Sequence, residues 1–241
     1  MRETGCRNEL KSSAEVLKLL ASRVNPKNVE GMKKFGIVAG KAYGGWSAPM
    51  LKRLAREIGP DHRLAQDLWA SEILEARALA ALIDEPERVT ERQMDAWAAD
   101  FDNWAVCDGA CIHLFRYTPF AVAKCREWSS HPEEFVKRAA FSLIAALAVA
   151  DKHASDRVFL QFLPLIKRAA GDERNYVRKA VNWALRQIGK RNLRLNRAAL
   201  KMAHEIHTMD SPSARWIASD ALRELQGPAV QKRLNRSADE R

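Results

Sequence analysis

The chain has 241 residues, 47% hydrophobic and 29% charged, enough for one sizeable packed domain or two small ones. Its longest apolar run, 139–150, is interrupted by Ser142 and too short to cross a bilayer, and four cysteines are too few for a secreted disulfide framework. The net charge of +10 is unevenly spread: 61–102 holds eleven acidic and four basic residues, while 174–204 holds nine basic and no acidic ones. Such a one-signed block points to an anionic partner, nucleic acid first, against the plainer alternative of a solvated basic helix face. The N-terminal stretch MRETGCRNELKSS has no apolar core, so no signal peptide is expected, and the cysteine usage fits a reducing, cytoplasmic setting.

Strand signals are nearly absent: no alternating Val/Ile/Thr run and no Asn-Gly hairpin occurs. Helical periodicity with short breaks predicts helices over 12–23, 26–35, 47–58, 62–69, 72–83, 90–101, 104–115, 118–128, 132–150, 155–170, 173–190, 195–208 and 212–225. The breaks fall at Pro and Gly positions such as Asn25-Pro26, Gly44-Gly45, Gly59-Pro60 and Ser211-Pro212. The chain divides into one helical domain, 1–226, and a basic C-terminal tail, 227–241, read as a short helix that fades.

The later helices repeat. EEFVKRAAFSLIAALA, RNYVRKAVNWALRQIG and PSARWIASDALRELQ lie over one another with Ala139, Ala180 and Ala218 coincident, at steps of 41 and 38 residues. Two helices per period of about 40 residues mark HEAT-like repeats, which stack into a solenoid with a concave face. The expected fold class is therefore an all-α HEAT-like repeat solenoid with a concave basic groove; a non-repetitive helical bundle is the alternative.

Three places stand out. In NWAVCDG, Trp104 and Asp108 share a helix face, and a carboxylate inside a positive field suggests a role in stabilising a cation, or else a cap or plain surface residue. In DERNYVRKAVNWALRQIGKRN, Asp172 is a plausible N-cap, Val177, Val181, Ala184 and Ile188 form the buried stripe, and Lys179, Trp183, Arg186 and Lys190 form a second stripe off it. A Trp among cations can stack on a sugar or base while the cations hold phosphates, or can lie beneath its neighbours' aliphatic stems. In HPEEFVKRAAF, Lys137 and Arg138 lie off the face made by Phe135, Ala139 and Leu143, so Arg138 is a phosphate clamp or an inter-repeat salt bridge to Glu133, Glu134 or Asp172.

Together these segments resemble the AlkD-like alkylpurine DNA glycosylases, from NPKNVEGMKKFG through ALRELQ. The resemblance implies a catalytic aspartate at Asp108, cleft tryptophans at Trp104 and Trp183, and a cleft arginine at Arg138. It implies a monomer that binds duplex DNA containing alkylated purines, works in the cytoplasm at a bacterial-type nucleoid, and cleaves the N-glycosidic bond of cationic N3- or N7-alkylpurines. No metal, organic cofactor or membrane is implied. Lys137, Lys179, Arg186, Lys190 and Arg191 are the expected DNA-binding cations. Members of that family often carry an acidic residue after the first tryptophan, where this chain has Ala105.

Two other functions fit the same features: a non-catalytic HEAT-repeat module for damaged or branched DNA, and a protein-binding scaffold, against which the basic Trp183 stripe argues. Cys107, Cys111 and His113 form a C-x3-C-x-H set without a fourth ligand, which reads as small buried cysteines rather than a metal site.

Overall fold

The computed structural model of the protein describes residues 12–151 and 154–239. Cys6 and the leader-free N-terminal reading lie outside them. Among the described residues all regular structure is helical, apart from the isolated bridges Val24–Gly44 and Lys41–Ile73. None of these helices is long and apolar enough to cross a membrane. The chain separates into two compact units, divided between Thr90 and Glu91.

The first unit holds α1 (Ser13–Ala21), α2 (Pro26–Lys34), α3 (Ala48–Ile58), α4 (His62–Ala70) and α5 (Leu74–Ile83). Local chemistry sets the starts. Ser12 and Glu15 close a capping box on α1, Asn25 caps α2 just before Pro26, and the Asp61 carboxylate accepts the Leu64 N–H on α4. The turn before Trp46 needs glycine. Gly44 has φ +73°, and a Cβ on Gly45 would stand 1.6 Å from the Arg23 carbonyl oxygen. Buried Glu75 ties that turn down by accepting the Tyr43 and Gly44 N–H groups at 3.0 and 2.6 Å.

The second unit holds α6 (Glu91–Ala99), α7 (Trp104–His113), a 3₁₀ turn (Phe115–Tyr117), α8 (Ala121–Trp128), α9 (Glu134–Ala150), α10 (Asp156–Ala169), α11 (Asn175–Gly189), α12 (Leu193–His207), α13 (Pro212–Leu225) and α14 (Pro228–Asp239). The elements match the expected ones in number and order through α13, with small shifts at their ends. The helix expected over 118–128 begins only at Ala121. Pro119 disfavours the helical region for the residue before it, and Thr118 is extended at φ −80°, ψ 152°. Where a fading tail was expected, α14 runs to Asp239.

In this unit α7 packs on α9, α9 on α11 and α11 on α13, while α8 backs α9, α10 backs α11, and α12 lies against α11 and α13. Two helices per repeat produce this order. Ala139, Ala180 and Ala218 are fully buried at equivalent positions, small enough for neighbouring helices to approach closely. The turn after α7 is braced by rings: Phe115, fully buried, has its centroid 6.3 Å from Trp97 and Phe101 and 6.0 Å from Trp128.

Candidate functional site

Asn103, almost wholly buried, starts α7 by accepting the Ala105 and Val106 N–H groups at 3.0 and 3.1 Å. That fixes Trp104 in the first turn and Asp108 one turn on, both half-buried on one face. The thiols behind them join α7 to α9: Cys107 donates to the Phe135 carbonyl at 3.6 Å and Cys111 to the Ala139 carbonyl at 3.5 Å. Cys107, Cys111 and Cys125 are free and buried, and no group of three or more His, Cys, Asp or Glu among the described residues is placed to hold a metal. Burial pushes the Cys107 and Cys125 thiols well above their ordinary range, so both are inert, packed thiols.

Asp108 meets α9. Arg138 donates through Nε to Oδ1 at 2.9 Å and through Nη2 to Oδ2 at 2.7 Å, and Ser142 Oγ donates to Oδ1 at 2.7 Å. Arg138 also reaches α11, with Nη1 donating to the Tyr176 carbonyl at 2.7 Å. A carboxylate has about four acceptor positions. Three donors leave one, on Oδ2, and the Asp108 side chain keeps 15% of its surface exposed. Burial pulls the Arg138 guanidinium down, but the Asp108 carboxylate outweighs it and holds that group above its ordinary value. The site is thus a carboxylate fixed from two sides with one acceptor position to offer.

This corrects the placement of Arg138. It is 6% exposed, not off the buried face, and its carboxylate partner is Asp108 rather than Glu133, Glu134 or Asp172. The guanidinium positions Asp108 and has little surface with which to meet a phosphate. Lys137 takes the contact to Asp172, at 2.9 Å. Asp172 in turn is not a helix cap: α11 starts at Asn175 with no side-chain cap. Its carboxylate serves Lys137 and the Arg174 backbone and guanidinium instead. Burial alone would raise the Asp172 carboxyl, but the hydrogen bonds from Arg174 and Lys137 outweigh it and hold it far below the usual carboxylate range.

The cationic stripe on α11 is also different from its expected form. Lys179 is exposed and without an ion pair among the described residues. Arg186 is paired with Glu224 and Asp220, and Lys190 donates to Glu224 at 2.6 Å, so these two cations are opposed by carboxylates of α13. Arg191 turns inward, donating to the Ala148 carbonyl at 2.7 Å with its guanidinium 4.0 Å from the Phe159 ring centroid. Of the five expected DNA-binding cations, Lys179 alone stands free.

Trp183 is half-buried on α11, in the repeat position equivalent to Ser142 on α9, as Ala180 is to Ala139. Its indole N–H lies 3.1 Å from the Gln187 side-chain oxygen in the amide orientation that also meets Lys190. The structure therefore brings Asp108, Arg138 and Ser142 together directly and places Trp104 and Trp183 on helices flanking α9. Ser142 and the Tyr176 carbonyl were missed. Ser142 is the only polar side chain in the apolar run 139–150, and a hydroxyl in such a run needs a partner.

The family profile described as "DNA alkylation repair enzyme" matches residues 16–225, and the chain belongs to that family. No curated protein matches it. Among solved structures, one with TM-score 0.72 and 16% identity covers 88% of this chain and 95% of its own. It represents "a new family of proteins related to the HEAT-like repeat DNA glycosylases with affinity for branched DNA structures", and the likeness establishes the HEAT-like repeat fold. An engineered protein (15% identity) and a designed armadillo repeat protein (16%) each cover 88% of this chain, and 91% and 92% of their own, at TM-score 0.38.

Proposed function

We propose that this member of the family is a DNA-alkylpurine glycosylase. It binds duplex DNA over the faces of α7, α9 and α11 and releases cationic N3- or N7-alkylated purines, without metal or organic cofactor. The observation that carries the reading is the Asp108 carboxylate, held by Arg138 and Ser142 with one acceptor position left on Oδ2.

The chemistry asks little more. An alkylated purine already carries positive charge, so when the bond from C1′ to the purine nitrogen breaks, the electron pair leaves with the base and the base departs neutral. The positive charge moves to the deoxyribose as an oxocarbenium-like centre. A fixed carboxylate stabilises that centre without reorganising. Its open Oδ2 position accepts from the attacking water, whose oxygen bonds to C1′ while its proton passes to solvent. Trp104 and Trp183 supply CH–π and cation–π contacts to the sugar and its neighbours, and Lys179 meets a phosphate.

The test is incubation of the protein with methylated duplex DNA, followed by chromatography of released 7-methylguanine and 3-methyladenine and counting of abasic sites in equal number. Release above the heat-inactivated control is expected; an unchanged level contradicts the reading. A second reading, a non-catalytic module for damaged or branched DNA, is favoured by how fully Asp108 is already engaged. Three donors on one carboxylate would equally suit a structural clasp between α7 and α9. In that case DNA is bound and no base appears.

A further inference from the structure

All seven tryptophans lie among the described residues, and Trp216 on α13 is the one that is exposed, at 39%. A ring of that size left in water at a repeat seam forgoes burial that the other six obtain in full or in part. Trp216 occupies the repeat position equivalent to Arg178, and the Arg178 guanidinium lies 5.2 Å from its ring centroid. Among the described residues no carboxylate is within ion-pair distance of Arg178, although Glu173 is near enough to feel its charge, and the arginine's Nε is buried without a hydrogen-bond acceptor. The arginine is therefore committed to the ring and not to an ion pair. Lys179, the next residue on α11, is the free cation noted above.

One turn further along both helices the pattern changes. There Asn182 donates to Asp220 at 2.7 Å and Arg186 pairs with Asp220 and Glu224, so carboxylates of α13 face the polar groups of α11, although Asn182 Oδ1 and Arg186 Nε, like Arg178 Nε, are buried without a hydrogen-bond partner. At Arg178 and Trp216 the α11–α13 seam presents a cation without a carboxylate in ion-pair contact and a partly exposed aromatic ring side by side, with Glu173 as the nearby acidic neighbour. In a chain of net charge +10, that combination suits a ligand that is both flat and anionic.

We infer that Trp216, with Arg178 and Lys179, forms a stacking site for an unpaired DNA base, separate from the carboxylate on α7. In an intact duplex both faces of each base are covered by neighbours. A protein ring can therefore stack only on a base that has lost one, at a gap, a single-stranded tail or a branch. Arg178 supports the ring from the α11 side, and Lys179 meets the adjoining phosphate. This rests on the DNA-binding reading above and adds to it a preference for DNA with exposed bases.

The test compares anisotropy titrations of two labelled DNAs of equal length and charge, one fully paired and one with a short oligo-dT gap. Wild type, Trp216→Ala, Trp216→Phe and Arg178→Gln are measured, with melting curves as the check on folding. Wild type is expected to favour the gapped DNA. Trp216→Ala should lose about fivefold or more on gapped DNA and under about twofold on paired DNA, with Trp216→Phe close to wild type. Equal loss on both DNAs, or none on either, overturns the site. Loss of concentration-dependent self-association in Trp216→Ala, with DNA binding unchanged, assigns the ring to a protein partner and also overturns it. If wild type binds neither DNA, the repair reading fails together with this one. If it binds both equally and still releases alkylated bases, only the stacking site falls.

Discussion

Arg138 holds Asp108 through two parallel hydrogen bonds, Nε to Oδ1 at 2.9 Å and Nη2 to Oδ2 at 2.7 Å, in a setting where the arginine is 6% exposed. Such a pair is costly to break from one side, because the charge left behind is buried without a partner. Arg138→Ala is expected to destabilise the protein by about 3–5 kcal/mol, and Arg138→Lys by less but still measurably, since a lysine cannot reproduce the two-point geometry. Chemical denaturation with unchanged midpoints for both variants would contradict the pairing.

Ser142 gives the third hydrogen bond to the same carboxylate, at 2.7 Å. Ser142→Ala leaves no large cavity, so the fold should lose only about 1.5–3 kcal/mol, the worth of a hydrogen bond to a charged group. Base release by the folded variant should fall by about tenfold, because the carboxylate gains freedom to turn away from the sugar. Parallel melting and single-turnover measurements check this; a variant with wild-type release removes Ser142 from the positioning of Asp108.

Lys179 and Lys190 lie on one helix face but differ in partners. Lys179 is free, whereas Lys190 is held by Glu224 at 2.6 Å. In a salt titration of duplex binding, Lys179→Gln should lower the slope of log K against log salt by about one unit, and Lys190→Gln should leave it nearly unchanged. Equal slopes for both variants would mean that Glu224 releases Lys190 to the DNA.

Gly109 sits inside α7 beside Asp108, and a Cβ there would meet nothing within 4 Å. Gly109→Ala should therefore stabilise the helix by about 0.5–1 kcal/mol. A higher melting temperature with intact DNA affinity is expected; a higher melting temperature with lost affinity would show that DNA approaches the backbone at this glycine.

The Lys137–Asp172–Arg174 cluster sets part of the acid response. The Asp172 carboxyl is depressed when folded, so its contribution is complete above the ordinary value of about 3.9. It drains away as pH falls from there toward the depressed folded value. Asp172→Asn should cost stability at pH 7, by about 1–3 kcal/mol, and flatten the loss of stability below about pH 4. An acid limb as steep as that of wild type would contradict the cluster.

The helices were legible because Pro and Gly punctuate nearly every one, and the Trp104–Asp108 pairing because four residues is one helical turn. Partners across repeats were not. Helix periodicity put Arg138 beside the apolar stripe, but a carboxylate thirty residues earlier on another helix makes burial tolerable, and no local pattern reveals it. The repeat alignment held an unused clue for Arg186. Asp220 and Glu224 stand 38 residues after Asn182 and Arg186, the step that already aligned Ala180 with Ala218. Carrying that register through would have predicted a neutralised stripe with Lys179 as its free end.

The most direct measurement is single-turnover release of 7-methylguanine by wild type and Asp108→Asn, at protein concentrations that saturate the DNA and with melting curves for both. The account predicts that the variant binds methylated duplex about as tightly as wild type, remains folded, and loses release by 100-fold or more, on the order of the electrostatic stabilisation removed. A folded, DNA-bound Asp108→Asn that releases the base at the wild-type rate would contradict it.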